Sequence, residues 1–383
     1  VEGMHRIADT FGPIPYVNYG SSSLYDALDL VYNKFFEELD NAIEVLSNYV
    51  NGNVDAKLMS DYDCVYGGDV EKWVKFANTL RLRLAIRVSY ANPTLAEAQA
   101  KKSMENMFGF IESKAERAEL SHNSLEYHHP LHEIAYNFNS GDCRPGATIV
   151  AYLNGLNDSR ISSYFTAADD GEYHGVRIGI TTSNMSNYQG NKISNLNINR
   201  ASTPVVWMTA AESFFLRAEG ALRGWDMGGT AKSFYEQGVR MSFEENNAAG
   251  VDDYLADHTS TPGAFADNVG SDNYTFSSRV TPAWDDNAGF EAQLERIITQ
   301  KWIANYPDGP EGWSEYRRTG YPEVIPVVRN SSNGTIDTQL QVRRLPYTRD
   351  EKINNASGVA SGISALGGQD TGGTKLWWDK KSR

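Results

Sequence analysis

The chain has 383 residues, with 49 acidic side chains against 35 basic ones for a net charge of −14, and it is 40% hydrophobic and 11% aromatic. That length exceeds one ordinary core and implies about two to three domains or one architecture that grows by stacking, while the apolar share excludes wholesale disorder. The acidic balance, with no basic stripe anywhere, excludes nucleic acid as a partner, and the lack of any apolar run of about 18 residues excludes a membrane-spanning helix.

The opening VEGMHRIADTFGPIPY lacks the charged start, apolar centre and small-residue cleavage site of a secretory signal. Either the protein is cytoplasmic or its natural start has been removed. Residues 24–49 place Leu24, Leu28, Val31, Phe35, Leu39, Ala42 and Leu46 at helical spacing with acids between them. GGDVEKW then opens a second helix that runs to about Tyr90 and is stopped by Pro93. Its main stripe holds Trp73, Phe76, Ala77, Leu80, Leu84 and Val88, with Leu82 and Ile86 opposite, so it is expected between two neighbours. Arg87 falls inside that stripe and needs a carboxylate or carbonyl partner in the core.

Residues 95–118 predict a further helical segment, and 119–202 are irregular apart from a short helical stretch near ATIVAYLNGL. Helical periodicity returns in VVWMTAAESFFLRAEGALRGW, and a partner helix follows at about 229–247; together they have the length of one tetratricopeptide unit. Residues 248–288 are loop-like, and FEAQLERIITQKWIANY supplies another helix that Pro307, Gly309 and Pro310 end. The part 307–383 reads as irregular, with a Gly/Ser-rich run at 357–374 before LWWDK; strand signal is confined to pieces such as VRIGITT. The pattern is therefore mainly α: a scaffold of helix pairs over 24–118, 205–247 and 289–306, with loop-rich insertions 119–202 and 248–288 where recognition is expected.

Catalytic patterns are weak. SHNSLEYHHPLHE holds His122, His128, His129, His132 and Glu133, but Pro130 interrupts the helix that a zinc protease needs and Glu133 follows the last His, so no metal is expected. Glu212 and Glu219 lie about 10 Å apart along one helix, a spacing that suits neither geometry of glycoside hydrolysis, and buried pairing with arginines such as Arg87 is the expected use. No phosphate loop or nucleophile elbow is present. Cys64 and Cys143 are too few for a disulfide framework and are expected as free thiols.

Aromatics in loops beside Asp and Asn are the more informative feature. Tyr62 and Tyr66 in DYDCVYGGD, Tyr127 in SLEYHH, and Tyr274, Phe276 and Trp284 in SDNYTFSSRVTPAWDDN offer flat faces for sugar C–H groups next to hydrogen-bonding partners for hydroxyls. Tyr62, Tyr66, Tyr274 and Trp284 are the candidate ligand contacts. A second aromatic cluster, KWIANYPDGPEGWSEYRRTGYP at 301–322, mixes Trp302 and Trp313 with Glu315, Arg317 and Arg318.

Read together, KWVKFANTLRLRLAIRVS, TPVVWMTAAESFFLRAEGALRGW, QKWIANYPDGPEGWSEYRRTGYP and RLPYTRDEKINNASG with GGQDTGGTKLWWDK resemble the SusD/RagB family of Bacteroidota outer-membrane lipoproteins. FGPIPY and GDCRPGATIVAYLNGLNDSRISSYF extend the resemblance from about residue 10 to the C-terminus. It implies one SusD-like domain over 1–383 in which tetratricopeptide-like helix pairs carry a variable looped face, with no catalysis and no cofactor. It also implies a cell-surface protein that captures a nutrient, most often a glycan, and acts as a lid on a SusC-like TonB-dependent transporter. Capture of a peptide or another nutrient, or a helical scaffold that binds only protein, are the alternatives. Family members begin with a signal peptide, a lipidated Cys and an early helical portion, whereas this chain begins near FGPIPY, so the outer-membrane anchor is implied in a segment outside it. Because 301–322 resembles a motif shared across relatives with different ligands, Arg87, Glu212, Glu219, Trp302, Trp313 and Arg317 are expected to be structural, with Glu315, Arg317 and Arg318 pairing internally.

Overall fold

The structure, a computed structural model, describes all residues except 54, 56, 121–128, 139–142, 181–185, 268–271 and 382–383. It opens with four helices, α1 Glu2–Phe11, α2 Leu28–Gly52, α3 Val70–Arg87 and α4 Pro93–Glu105. Asp69 caps α3 by accepting from the Lys72 amide, and Asn92 caps α4, with Pro93 in its first turn where a missing N–H loses nothing. Helix α3 is buried on both sides. Val74, Phe76, Leu80, Leu84 and Val88 join a core with Val31, Phe35 and Leu39 of α2, while Leu82, Ala85 and Ile86 join a second core.

The helix expected over 95–118 stops at Glu105. Gly109 takes φ +71°, Phe110 and Ile111 turn into the cores, and the Asn78 side chain donates to the Ser103 and Gly109 carbonyls, so the chain leaves the helix. It continues as β1 Ala118–Leu120, then α5 Pro130–His132, α6 Ala147–Gly155, α7 Ile161–Tyr164, β2 Phe165–Thr166, β3 Asn195–Leu196 and β4 Val205–Met208. Strand β1 pairs antiparallel with β4, and β2 with β3. VVWM, read as a helix start, is β4: its β-branched pair Val205 and Val206 suits a strand, and the helix begins only after Thr209, whose hydroxyl accepts from the Glu212 amide. VRIGITT forms no strand over its described residues; Val176 makes a single parallel bridge to Gly146.

Helices α8 Ala210–Leu222 and α9 Ala231–Glu245 form the most intimate pair, the second opened by a capping box between Thr230 and Ser233. After the short α10 Val251–Leu255, helix α11 Phe290–Ala304 packs on α8. The stretch expected to be irregular from 307 carries three helices: α12 Gly309–Thr319, α13 Arg349–Asn354 and α14 Ala356–Leu366. The Pro-Gly cluster that reads as a stop is also a start, because Asp308 accepts from the Glu311 amide and Pro310 sits in the first turn of α12. In α14 the Asn355 side chain caps the Gly358 amide and Gly367 ends the helix at φ +70°.

Candidate binding site

The aromatic and charged stretch 301–322 is buried. Arg83 binds Glu212 with both arms (2.8 and 2.6 Å), and Arg318 binds Glu219 (2.7 and 2.6 Å) as well as Glu315 (2.9 and 2.6 Å). Arg87 reaches Glu311 and Glu315, both at 2.5 Å, and Lys301 lies 3.2 Å from Glu311 and 3.3 Å from Glu315. Four cations thus meet four carboxylates. Burial raises the pKa of Glu311 and Glu315, but for Glu311 the charges of Arg87, Lys301 and Arg83, and for Glu315 those of Arg318, Lys301 and Arg87, outweigh it and hold both well below the usual carboxylate range. Glu212 and Glu219 have both oxygens committed to guanidinium groups. Arg317 takes a different course from its neighbour: it donates to the carbonyls of Asp9 and Arg343 and lies 3.6 Å above the Trp313 ring. Trp313 donates to the Val342 carbonyl, and Trp302 packs edge-on against Tyr152 over Gly312, where an added Cβ would stand 2.9 Å from the indole.

The four candidate rings do not share one platform. Tyr62 is 80% exposed on the loop before α3, whereas Tyr66 is only 9% exposed, donates to the Glu116 carbonyl and packs edge-on against Trp73. Trp284 is 7% exposed, lies 5.3 Å from the Tyr235 ring and donates its indole N–H to Asp286, so the acids that suggested a sugar partner serve the tryptophan itself. Tyr274 donates to Glu323, meets Phe276 edge-on and lies under the Arg177 guanidinium. Tyr127, His122 and His128 lie outside the described residues. His129 caps α5 by accepting from the Leu131 amide, His132 stacks on Tyr136, and Glu133 meets Arg200; among the described residues no group of three His, Cys, Asp or Glu could hold a metal. Cys64 and Cys143 are not joined to each other.

A different set of residues does converge, where the two loop-rich insertions meet. A cavity of about 230 Å³ is walled by Asn154 of α6, by Tyr173, His174 and Tyr188 from the first insertion, and by Phe265 and Asp267 from the second. Two glycine crossings make it. A Cβ on Gly155 would fall 1.9 Å from the Gly263 nitrogen, and the Gly263 amide donates to the Ala151 carbonyl, so the second insertion lies directly on α6. A Cβ on Gly175 would stand 2.8 Å from the Gly146 carbonyl, which brings the first insertion against the start of α6. Asn154 donates to the Tyr173 carbonyl, and the Tyr188 hydroxyl donates to Asp267 at 2.7 Å, tying one insertion to the other. Burial and that bond raise the Tyr188 pKa to about 12, and the bond to His174 holds Asp170 below the carboxylate range.

The wall alternates tyrosine and phenylalanine rings with an amide, an imidazole and carboxylates. Such a lining can stack on an apolar face and hydrogen-bond hydroxyls at its edge. EYHGV and NYQGN carry the same ring-beside-polar signal as the segments singled out in the sequence, but among 21 tyrosines nothing local marks these two. Only the crossing of the glycines brings them together.

A family model described as SusD-like, "Susd and RagB outer membrane lipoprotein", matches residues 1–379. A search of the curated proteins finds no match. Among solved structures, a chitin-binding SusD homologue from Flavobacterium johnsoniae is similar at 42% identity and TM-score 0.94, covering 99% of this chain and 79% of that one. A SusD homologue from Bacteroides uniformis is similar at 43% identity and TM-score 0.91 over 99% of this chain and 79% of that one. One from Bacteroides vulgatus is similar at 39% identity and TM-score 0.93 over 100% of this chain and 78% of that one. Mainly helical, matched by the family model along nearly its whole length and superposable on solved homologues at about two-fifths identity, this chain belongs to the SusD-like family of outer-membrane lipoproteins.

Proposed function

We propose that the protein is a cell-surface glycan-capture lipoprotein that holds an oligosaccharide in the cavity between its two insertions and delivers it to a SusC-like TonB-dependent transporter. The observation that carries the reading is the lining itself: Tyr173, Tyr188 and Phe265 with Asn154, His174 and Asp267, six side chains from three segments, on a helical frame whose similar homologue is a chitin binder. Rings beside hydrogen-bonding groups in a small open cavity are the chemistry a sugar needs. Tyr62 and Tyr274, whose rings keep solvent-facing surface, are proposed as outlying contacts, whereas Tyr66 and Trp284 are buried against Trp73 and Tyr235. No catalytic step is proposed, since capture and hand-over need only binding and closure.

Affinity electrophoresis or calorimetry over a panel of glycans, chitin oligosaccharides included, tests this. Tyr173→Ala is expected to weaken the glycan that binds by about 1–3 kcal/mol with the melting temperature held. Silence across the whole panel would remove the glycan reading.

A further inference from the structure

On the other side of the second insertion lies a larger cavity, about 540 Å³, that shares a wall with the first. The wall is the Phe265–Tyr274 bridge, closed by two backbone hydrogen bonds of 2.8 and 2.9 Å: Phe265 lines the first cavity and Tyr274 the second. Arg177 braces it, donating to the Asp272, Asn273 and Pro326 carbonyls while its guanidinium lies 5.6 Å from the Tyr274 ring centre.

Three rings enter the second cavity: Tyr274 from the second insertion, and Tyr316 and Tyr321 from the end of α12 and just beyond it. Its floor is set by Glu323, which accepts from the Tyr274 hydroxyl, from the Ser277 amide and hydroxyl, and from the Ser278 amide (2.7–3.1 Å). Glu295 is tied to the same loop through the Ser278 hydroxyl at 2.6 Å. Arg279 and Gln339 stand exposed at its edge, and among the described residues the Gln339 side-chain amide has no hydrogen bond. A donor-and-acceptor amide, a guanidinium that also donates to the Phe276 and Ser278 carbonyls, and tyrosine rings in one lining repeat the ring-plus-polar chemistry of the first cavity without repeating its residues.

We propose that this second cavity is a further carbohydrate subsite, so that one oligosaccharide runs over the Phe265–Tyr274 wall and is held on both sides of it. The inference rests on the glycan reading above. The two cavities form one elongated site; a short ligand fills only the first, and a longer one adds the tyrosine-lined second. Multivalent contact along one chain raises affinity without any new chemistry.

Calorimetry with oligosaccharides of two to six units, taken from chitin, β-1,4-glucan and α-glucan, reads this directly. The expected result is an affinity that rises with length in the unaltered protein. Tyr321→Ala is expected to lose about tenfold for the longest binding member and nothing for the shortest. Tyr321, just past the end of α12, also donates to Glu291 in the first turn of α11, so Gln339→Ala, a surface change, serves as the second variant and is expected to flatten the same length dependence. Tyr173→Ala should weaken every length. If the length dependence survives both Tyr321→Ala and Gln339→Ala, or affinity never rises with length, the second subsite is refuted while the first stands. If no oligosaccharide binds at any length, both readings fall.

Discussion

Arg318 is the side chain whose removal tests the buried ionic joint most severely. It is fully buried and makes four charged hydrogen bonds of 2.6–2.9 Å, two to Glu219 and two to Glu315. Arg318→Met keeps most of the stem volume and removes only the charge and its donors. Glu315 then still has Arg87 at 2.5 Å and Lys301 at 3.3 Å, but Glu219 retains only Arg223. Stranding a buried carboxylate in this way costs about 3–5 kcal/mol. For 383 residues, an unfolding entropy of about 2.1 cal/mol/K per residue gives about 0.8 kcal/mol/K, so a loss of about 4 kcal/mol lowers Tm by about 5 °C. Thermal and urea unfolding of Arg318→Met, Glu219→Leu and the double variant form the assay. The double variant should be little worse than the more damaging single one, because the second change removes the group whose pairing the first cut back to Arg223. Single losses under about 1 kcal/mol, or losses that simply add within about 0.5 kcal/mol, would refute the account.

Glu245 gives a pH-dependent prediction of known sign. Burial pushes its carboxyl up from 4.5 to about 7 against the pull of the Ala210 amide and Arg117. Between those values the folded chain holds a proton that the unfolded chain has released, so stability falls as pH rises, by about 3 kcal/mol in all, and the loss is complete above about pH 7. Glu245→Gln keeps an oxygen for the Ala210 amide, and its Tm should exceed the parent's at pH 8 and match it at pH 5; a gap that does not change with pH refutes the assignment. Trp284→Ala should lose about 3–5 kcal/mol in denaturant titration, with the folded protein's glycan affinity intact, since the ring is spent on Tyr235; weakened binding at unchanged stability would return it to the ligand face. Gly155→Ala must drive the Gly263 backbone off α6, so calorimetry should show glycan affinity falling while far-ultraviolet circular dichroism keeps its helical amplitude; intact affinity would mean that this crossing does not shape the site.

The helices that periodicity locates are those with apolar residues recurring at helical spacing over three turns or more: α2, α3, α8, α9 and α11. Where the reading failed, a local signal had two meanings. Pro307, Gly309 and Pro310 end α11 and begin α12, and a terminator cannot be told from a first-turn proline until Asp308 is seen to cap. The 356–366 helix was hidden by glycines and serines that are poor helix formers, yet Gly362 lies where a Cβ would meet Tyr25 and Tyr347 at 2.7 Å, so small residues are required there by packing. The buried acids and arginines were legible because a charge in an apolar stripe must be answered, although the partner of Glu212 is Arg83 and not Arg87. The cavity was not legible, since its residues come from stretches without periodicity and are joined by glycine contacts that carry no side-chain pattern.

Stability alone does not explain why so many charges lie inside the scaffold, because replacing a buried ion pair with well-packed apolar groups is often neutral or stabilising. What apolar contacts do not supply is direction. Arg87 on α3 reaches Glu311 and Glu315 on α12 and lies 3.5 Å from Asp9 on α1, while Lys301 on α11 approaches Glu212 on α8. The C-terminal segment closes the set: the fully buried Trp378 donates to Asp9, lies near the Arg87 and Arg317 guanidinium groups, and is followed by Asp379 bound to Arg343. Each bond fixes where along its axis a helix stands against the next, which slippery aliphatic packing leaves loose. The second cavity depends on that registry, for part of its wall comes from these same helices: Tyr316 and Tyr321 at the end of α12, and Glu295 on α11. A frame held in register by charge lets the loops carry plain tyrosines, amides and glycines and still hold them in one geometry. That division explains why the most conspicuous residues of the sequence lie in the joint and the least conspicuous ones line the cavity.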